Sequence, residues 1–386
     1  MAERESHQLR ITHFSLENWR NFARVDVDLQ RRVFLVGPNA AGKSNLLDAL
    51  RFLHDIVSVG GGFQEAVRRR GGVSRVRCLA ARRYPDVRIR VRLGNEEDAQ
   101  LWEYDIQFGQ DNQRRPLVKH ERVTHAGAQI LQRPDDEDRA DEDRLTQTFL
   151  EQLNANRDFR PISDLFRSIR YLHVVPQLVR EPDRSVGKAN DPYGGDFLEQ
   201  VTRTNEKTRT SRLGRIRDAL RVAVPQLQEI ELHRDERGIP HVRGRYSHWR
   251  PTGAWQSEDQ FSDGTLRLMG LLWAVLDGSG PLLLEEPELS LHPGVVRVLP
   301  QMLARVQRRA NRQVICSTHS SDLLSDTGIA PDEVLVLKPS TEGTTIVPVS
   351  QMDDVVALLA SGLSVADAIL PITEPEDTHR LTLLGR

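Results

Sequence analysis

The segment GPNAAGKS, Gly37 to Ser44, sets two glycines, a lysine and a serine at the spacing Gly-x-x-x-x-Gly-Lys-Ser. In such a loop the backbone N–H groups, with the N-terminus of the following helix, face phosphate oxygens. The lysine neutralises the β and γ oxygens, and the serine hydroxyl holds Mg²⁺. Further along, LLLEEPELSLHP (Leu282 to Pro293) puts Glu285 and Glu286 side by side at the end of an apolar run. Burying an unpaired carboxylate costs several kcal/mol, comparable to the net stability of a domain, so the pair calls for a positive partner. Beside a bound triphosphate, one carboxylate would serve the hydrated Mg²⁺ and the other would orient or deprotonate the attacking water. Glu285 is assigned the metal and Glu286 the water.

Composition bounds what else the chain can be. It has 386 residues, 38% hydrophobic and 28% charged, enough for one large or two ordinary domains with a real core. A formal net charge of −2 gives no global attraction to nucleic acid, so any such contact needs a local basic face. Cys78 and Cys316 are the only cysteines, which excludes a zinc site of several thiolates and fits a reducing, cytoplasmic setting. The start, MAERESHQLR, is charged where a secretory signal would be apolar, and no apolar run is long enough to span a bilayer. Lysine is scarce: Lys43, Lys119, Lys188, Lys207 and Lys338 are the full set, which singles out the one in the glycine loop.

The elements that must position these groups are legible in the hydrophobic pattern. LRITHFSLENW and VDVDL alternate as strands, and RRVFLV is a short apolar strand ending at Gly37. Leu46, Leu47, Leu50, Leu53 and Val57 then recur at helical spacing, up to the glycines Gly60 to Gly62. Strands at 87–93, 101–108 and within PLVKHERVTH suggest an antiparallel meander with one polar face. RPDDEDRADEDR, Arg133 to Arg144, reads as a solvated acidic loop. A strand at IRYLHVV, a helix carrying Leu213, Ile216 and Leu220, a helix over Gly264 to Leu276 and strands PLLLEE, QVICSTH, EVLVLK and TTIVPV complete the pattern.

Four motifs in this order carry a family resemblance. GPNAAGKSN, SDGTLR (Ser262 to Arg267), LLLEEPELSLHP and STHS (Ser317 to Ser320) resemble the Walker A, signature, Walker B with D-loop, and switch-histidine motifs of ABC-type ATPases. ENWRNFARVDVDL further resembles the opening of the RecF, SMC and OLD branch. The resemblance implies an α/β fold: an ABC-ATPase head with a P-loop core sheet, an antiparallel β subdomain and a small helical lobe. It implies ATP and Mg²⁺ as ligands, with Gly37, Asn39, Gly42, Lys43, Ser44 and Asn45 cradling the triphosphate, and with Lys43, Glu286 and His319 in the hydrolytic step. Ser44 and Glu285 would hold the metal, joined by Gln177 as the Q-loop glutamine. Ser262 and Gly264, the signature positions, would face nucleotide held by a second copy, in an ATP-dependent head-to-tail homodimer. Arg20 would approach the nucleotide or lie on the surface. Two departures stand out: Glu285 where most ABC proteins have aspartate, and Asp263 where transporters have a second glycine.

The expected division is 1–180 for the first ATPase lobe, 181–279 for the helical lobe with the signature, 280–345 for the return to the core, and 346–386 for a tail packed on it. The spacing between Gly37 and Ser262 leaves no room for a long coiled coil, and the stretch after His319 is too short for a TOPRIM nuclease domain. The expectation is therefore an ATPase coupled to double-stranded DNA or to a separately encoded effector such as a nuclease or toxin, in phage defence or DNA repair. The alternative is an ATP-gated scaffold or sensor with little need for hydrolysis. Arg68, Arg69, Arg70, Arg75, Arg77, Arg82, Arg83, Arg88, Arg90 and Arg92 could follow a phosphate backbone or form an ordinary ion-paired surface. HVRGRYSHWR, His241 to Arg250, fits a nucleic-acid contact or a plain hairpin strand equally.

Overall fold

Strand alternation decides the architecture around the glycine loop. In the computed structural model, which describes residues 9–80, 85–181, 191–248 and 254–374, strand β3 is buried along its whole length. Val33 and Leu35 enter one hydrophobic cluster, Phe34 and Val36 the other. A strand covered on both faces reads as an unbroken apolar run, which is why RVFLV shows no polar alternation. Arg82, Arg83, Trp249, Arg250, residues 182–190 and residues 375–386 lie outside the described residues.

Along the chain come β1 (Arg10–Trp19), β2 (Phe22–Asp28), β3 (Arg32–Val36) and α1 (Lys43–Val57). The meander follows as β4 (Val87–Gly94), β5 (Trp102–Gln110), β6 (Pro116–His125) and β7 (Ala128–Arg133). After β8 (Arg170–Leu172) and the short α2 (Pro176–Arg180), the chain forms α3 (Phe197–Arg203) and α4 (Glu206–Ala223). A small sheet, β9 (Leu227–Arg234), β10 (Pro240–Tyr246) and β11 (Ala254–Ser257), leads into α5 (Asp263–Leu276). The chain then re-enters the core with β12 (Leu282–Glu285), α6 (Leu299–Ala310), β13 (Val314–Thr318), β14 (Val334–Ser340), β15 (Gly343–Pro348) and α7 (Val365–Thr373).

Two six-stranded sheets carry the molecule. One is antiparallel in the order β2-β1-β4-β5-β6-β7; the other runs β15-β14-β3-β13-β12-β8. In the second, β14, β3, β13, β12 and β8 are parallel and only the edge strand β15 is reversed. Helix α1 packs its leucines into the cluster that joins the two sheets. Phe197, Leu213, Ile216 and Trp273 of the helical lobe share the second cluster with the opposite face of the core sheet.

The acidic segment after β7 departs from the expected solvated loop. Arg133 and Asp138 are fully buried there, with Arg133 bonded to Asp138 at 2.8 Å and to Glu121 at 3.0 Å. Asp135 and Asp138 also close a capping box that starts a short helix at Asp136–Ala140. The composition of the segment is that of a solvated loop, yet two of its charges fold inward to close the end of the meander. The segment 181–279, expected as a small helical lobe, also contains the three-stranded sheet around β10.

Candidate nucleotide-binding site

Parallel strands expose their carboxyl ends on one side of a sheet, and in open α/β sheets ligands bind there. That edge gathers the glycine loop after β3, Glu285 and Glu286 at the end of β12, and Thr318 and His319 at the end of β13.

The loop is shaped by its backbone. Ala40 and Gly42 take positive φ values of 64° and 100°, and α1 starts immediately after Gly42 with no side-chain cap. A Cβ on Gly42 would lie 2.2 Å from Asn21 Nδ2, so glycine is demanded by both φ and space. Asn21 braces the loop: its Nδ2 donates to Ala41 O at 2.9 Å and to Thr344 Oγ1 at 2.7 Å, while Asn45 Nδ2 donates to its Oδ1 at 2.8 Å. Asn39 is exposed at the loop tip and Gly37 is buried at its base.

Lys43 is buried and turns back on its own loop, donating to Gly37 O at 2.7 Å and Pro38 O at 3.1 Å. Burial lowers its pKa below the ordinary lysine range, against the pull of Glu286, Glu288 and Glu285. The Ser44 hydroxyl donates to Glu285, and so does the Tyr171 hydroxyl from the neighbouring strand β8. His173 Nδ1 lies 3.2 Å from Glu285 O. Burial raises the Glu285 pKa, the Ser44 bond opposes this, and Glu286 adds to the rise.

Glu286 follows the strand in a left-handed conformation with φ 44°, its N–H bonded to Ser317 O at 3.0 Å. A non-glycine residue held there is strained, a condition that clusters at functional sites. Its carboxylate lies 3.2 Å from His319 Nδ1. Beneath them Glu288 is buried and accepts from Thr318 Oγ1 at 2.5 Å, while its Oε2 has no partner among the described residues. Burial raises the Glu288 pKa as well.

The donor set fits Mg²⁺ bound through phosphates. Among the described residues no group of three His, Cys, Asp or Glu could hold a metal alone. Mg²⁺ commonly keeps its waters and takes one or two protein oxygens plus substrate phosphates. Ser44 and Glu285, whose side chains meet, are the residues that would hold such an ion.

Ser262 and Gly264 lie at the start of α5. Ser262 is exposed at the N-cap of α5, where its Oγ accepts from Thr265 N at 3.2 Å. A Cβ on Gly264 would meet Ser290 O at 2.6 Å, so glycine lets α5 rest on the turn after Glu286. Gln177 is exposed on α2, and Tyr171 and His173 are the residues that contact Glu285 from this side. Arg20 bonds Arg75 O at 3.2 Å and lies 3.6 Å from Asp48. Sequence reasoning missed Tyr171, Asn21, Thr318 and Glu288. Strand order alone puts Tyr171 beside Glu285, and no linear spacing signals it.

Residues 32–326 match the family model described as "AAA domain, putative AbiEii toxin, Type IV TA system". The chain belongs to this AAA domain family. Two relatives named DNA replication and repair protein RecF are similar over short stretches. That of Roseiflexus castenholzii is 50% identical over 44 residues, 11% of each chain; that of Streptomyces avermitilis is 31% identical over 108 residues, 28% of this chain and 26% of its own. The matched segments thus span well under half of those relatives. An SMC head bound to the C-terminal winged-helix domain of ScpA superposes with a TM-score of 0.53 at 12% identity, covering 87% of this chain and 96% of that one. An SMC head of Pyrococcus furiosus, also bound to ScpA, gives 0.51 at 10% identity, covering 91% and 100%. The fold of this AAA domain protein is that of a RecF/SMC-like P-loop ATPase head.

Proposed function

We propose that this AAA domain protein binds ATP with Mg²⁺, hydrolyses it, and pairs head-to-tail with a second copy around the nucleotide. The observation that carries the reading is the contact of Ser44 with Glu285, with Glu286 and His319 next to it: loop, metal carboxylate, water carboxylate and γ-phosphate contact converge on one edge. Lys43 would neutralise the β and γ oxygens, Glu286 would take the proton of the attacking water, and His319 would hold the γ-phosphate. The exposed Ser262 at the positive end of the 14-residue helix α5 would complete the site of the other copy. Gln177 would reach the metal only after α2 moves. We read 181–279 as the lobe that carries the signature toward the partner, 1–180 and 280–345 as the ATPase core, and 346–386 as its tail.

The output we propose is control of DNA or of a separately encoded effector, in phage defence or DNA repair. The family description names a toxin of a type IV system, the curated relatives are named for DNA replication and repair, and the SMC heads are bound to ScpA. Each supports a head that works through a partner. Among the described residues no helix is long and apolar enough to cross a membrane, which agrees with a cytoplasmic head. A second reading, an ATP-gated scaffold, is favoured by the contact of the Glu286 carboxylate with His319, which engages the candidate base.

Turnover of ATP by the purified protein beside Glu286→Gln, with and without linear duplex DNA at low salt, tests both. Turnover that vanishes in the variant supports the ATPase. Retained biological function in Glu286→Gln points to the scaffold instead. Normal hydrolysis by Ser262→Arg would sink the composite site.

A further inference from the structure

A cleft of about 840 Å³ separates α1 and β8 of the ATPase core from α3 and α5 of the helical lobe. Its volume falls in the range of roughly 300–1,000 Å³ typical of small-ligand sites. Arg51, His54, Arg170 and Tyr171 line one side, Phe197 and Trp273 the other.

The charges around it do not cancel. Asp55 is paired with Arg70 at 2.9 Å and Asp277 with Arg212 at 2.8 Å, while Asp191 accepts from Tyr193 N at 3.1 Å. Arg69 is paired with Glu65 at 2.8 Å and Arg167 with Asp164 at 2.8 Å. Arg51 and Arg170 alone have no carboxylate partner among the described residues. Burial keeps the His54 pKa below the ordinary range, and the positive charges of Arg170 and Arg51 push the same way. Phe197 and Trp273 meet edge to face at 6.1 Å, and the buried Trp273 indole nitrogen has no hydrogen-bond partner among the described residues. Guanidinium forks beside an apolar wall match an anion attached to an apolar body.

We propose that this cleft is a second anion site, which takes a small phosphate-bearing ligand on Arg51 and Arg170 with its apolar part toward the side lined by Phe197 and Trp273. The site is coupled to the first. The Arg51 guanidinium lies 5.3 Å over the Tyr171 ring, and the Tyr171 hydroxyl donates to Glu285. A ligand that draws Arg51 away changes the support of the carboxylate assigned to Mg²⁺. The binding step does not depend on the ATPase reading; only the coupling does.

Calorimetric titration of Lys43→Ala protein, in which the glycine loop is weakened, with thymidine 5′-monophosphate tests the site. One equivalent is expected to bind. Adding Arg51→Gln and Arg170→Gln should weaken it at least about tenfold, the effect of losing charge-assisted contacts. Ala274→Glu, which puts a carboxylate on the cleft wall without touching either arginine, should weaken it as well. No binding by Lys43→Ala, or binding that these substitutions leave unchanged, overturns the proposal. Loss of all binding in Lys43→Ala, with normal binding when Arg51→Gln and Arg170→Gln are made in protein that keeps Lys43, would assign the anion to the glycine loop alone and overturn the proposal.

Discussion

Two clusters of acids in this molecule look alike in composition and differ in how they are answered. On the meander, Asp105 meets Arg88 at 2.6 Å and Arg90 at 3.3 Å, and Glu103 meets Arg92 at 3.0 Å and Arg122 at 2.7 Å. Glu121 and Asp138 share the buried Arg133, whose guanidinium also lies 3.8 Å over the Phe149 ring. At the edge of the core sheet, Glu285, Glu286 and Glu288 crowd around one lysine, and that lysine bonds carbonyls of its own loop instead of a carboxylate. An acid cluster neutralised within the chain is structure. One that lacks its cations is waiting for a ligand that carries them.

The comparison can be broken most forcefully at Glu286. Glu286→Gln should lower ATP turnover by roughly 10²–10⁴, the usual contribution of a general base, while leaving nucleotide affinity intact in an equilibrium binding assay. Lys43→Ala should weaken ATP binding by about 10–150-fold, the loss of charge-assisted contacts worth about 1.5–3 kcal/mol. Equal loss of affinity in both variants would mean that the two residues do not divide the work as described.

At the meander the expected outcome reverses. Arg133→Met leaves Glu121 buried without its cation and Asp138 with Arg144 alone, and should cost about 3–5 kcal/mol in urea denaturation. ATP affinity below the unfolding midpoint should not change. Glu285→Gln, by contrast, should leave the melting temperature of the nucleotide-free protein unchanged or raise it, because it removes one of three crowded charges. A clear drop in that temperature would show that the core acids are structural after all.

Tyr171→Phe removes one hydrogen bond to Glu285 and sharpens the same contrast. The Mg²⁺ concentration for half-maximal turnover should rise about fivefold, the equivalent of about 1 kcal/mol, with metal-free nucleotide binding unaltered.

The smallest effect is the sign of the pH dependence. Glu285 and Glu288 have pKa values raised by burial, so the folded state holds protons that the unfolded state has released. Stability of the nucleotide-free protein therefore falls as pH rises from the ordinary glutamate range through the raised values. Asp105 and Asp138 behave oppositely: burial would raise their pKa values, but the bonds from Arg88 and Arg133 prevail and lower them. Their contribution is present above the ordinary aspartate range and is lost as pH falls through the depressed values. In melting curves across pH, Glu285→Gln should flatten the decline on the alkaline side of that window, and Asp138→Asn the decline in acid.

The candidate basic face belongs to this same lesson. Arg88, Arg90 and Arg92 do share one face of β4, as alternation requires, but that face is laced to β5 by Asp105 and Glu103. Arg70, also a candidate for tracking phosphates, is buried between Asp48 and Asp55. The opposing strand and helix decide whether such arginines face a ligand, and neither is adjacent in sequence.

What the sequence determined by itself was local. The turn at Gly42, the helix from Lys43, the strand with two buried faces and the acid pair at its neighbour's end follow from spacing, glycine geometry and period, which need no distant contact. Only the tertiary structure decided which of the many charges are satisfied. Strand order set Tyr171 beside Glu285, packing folded Arg133 and Asp138 inward from an acidic segment, and the approach of two lobes left Arg51 and Arg170 over a cleft with no carboxylate partner among the described residues. A charge is answered by whatever lies within a few ångströms of it, and in a parallel sheet those neighbours come from strands far apart along the chain.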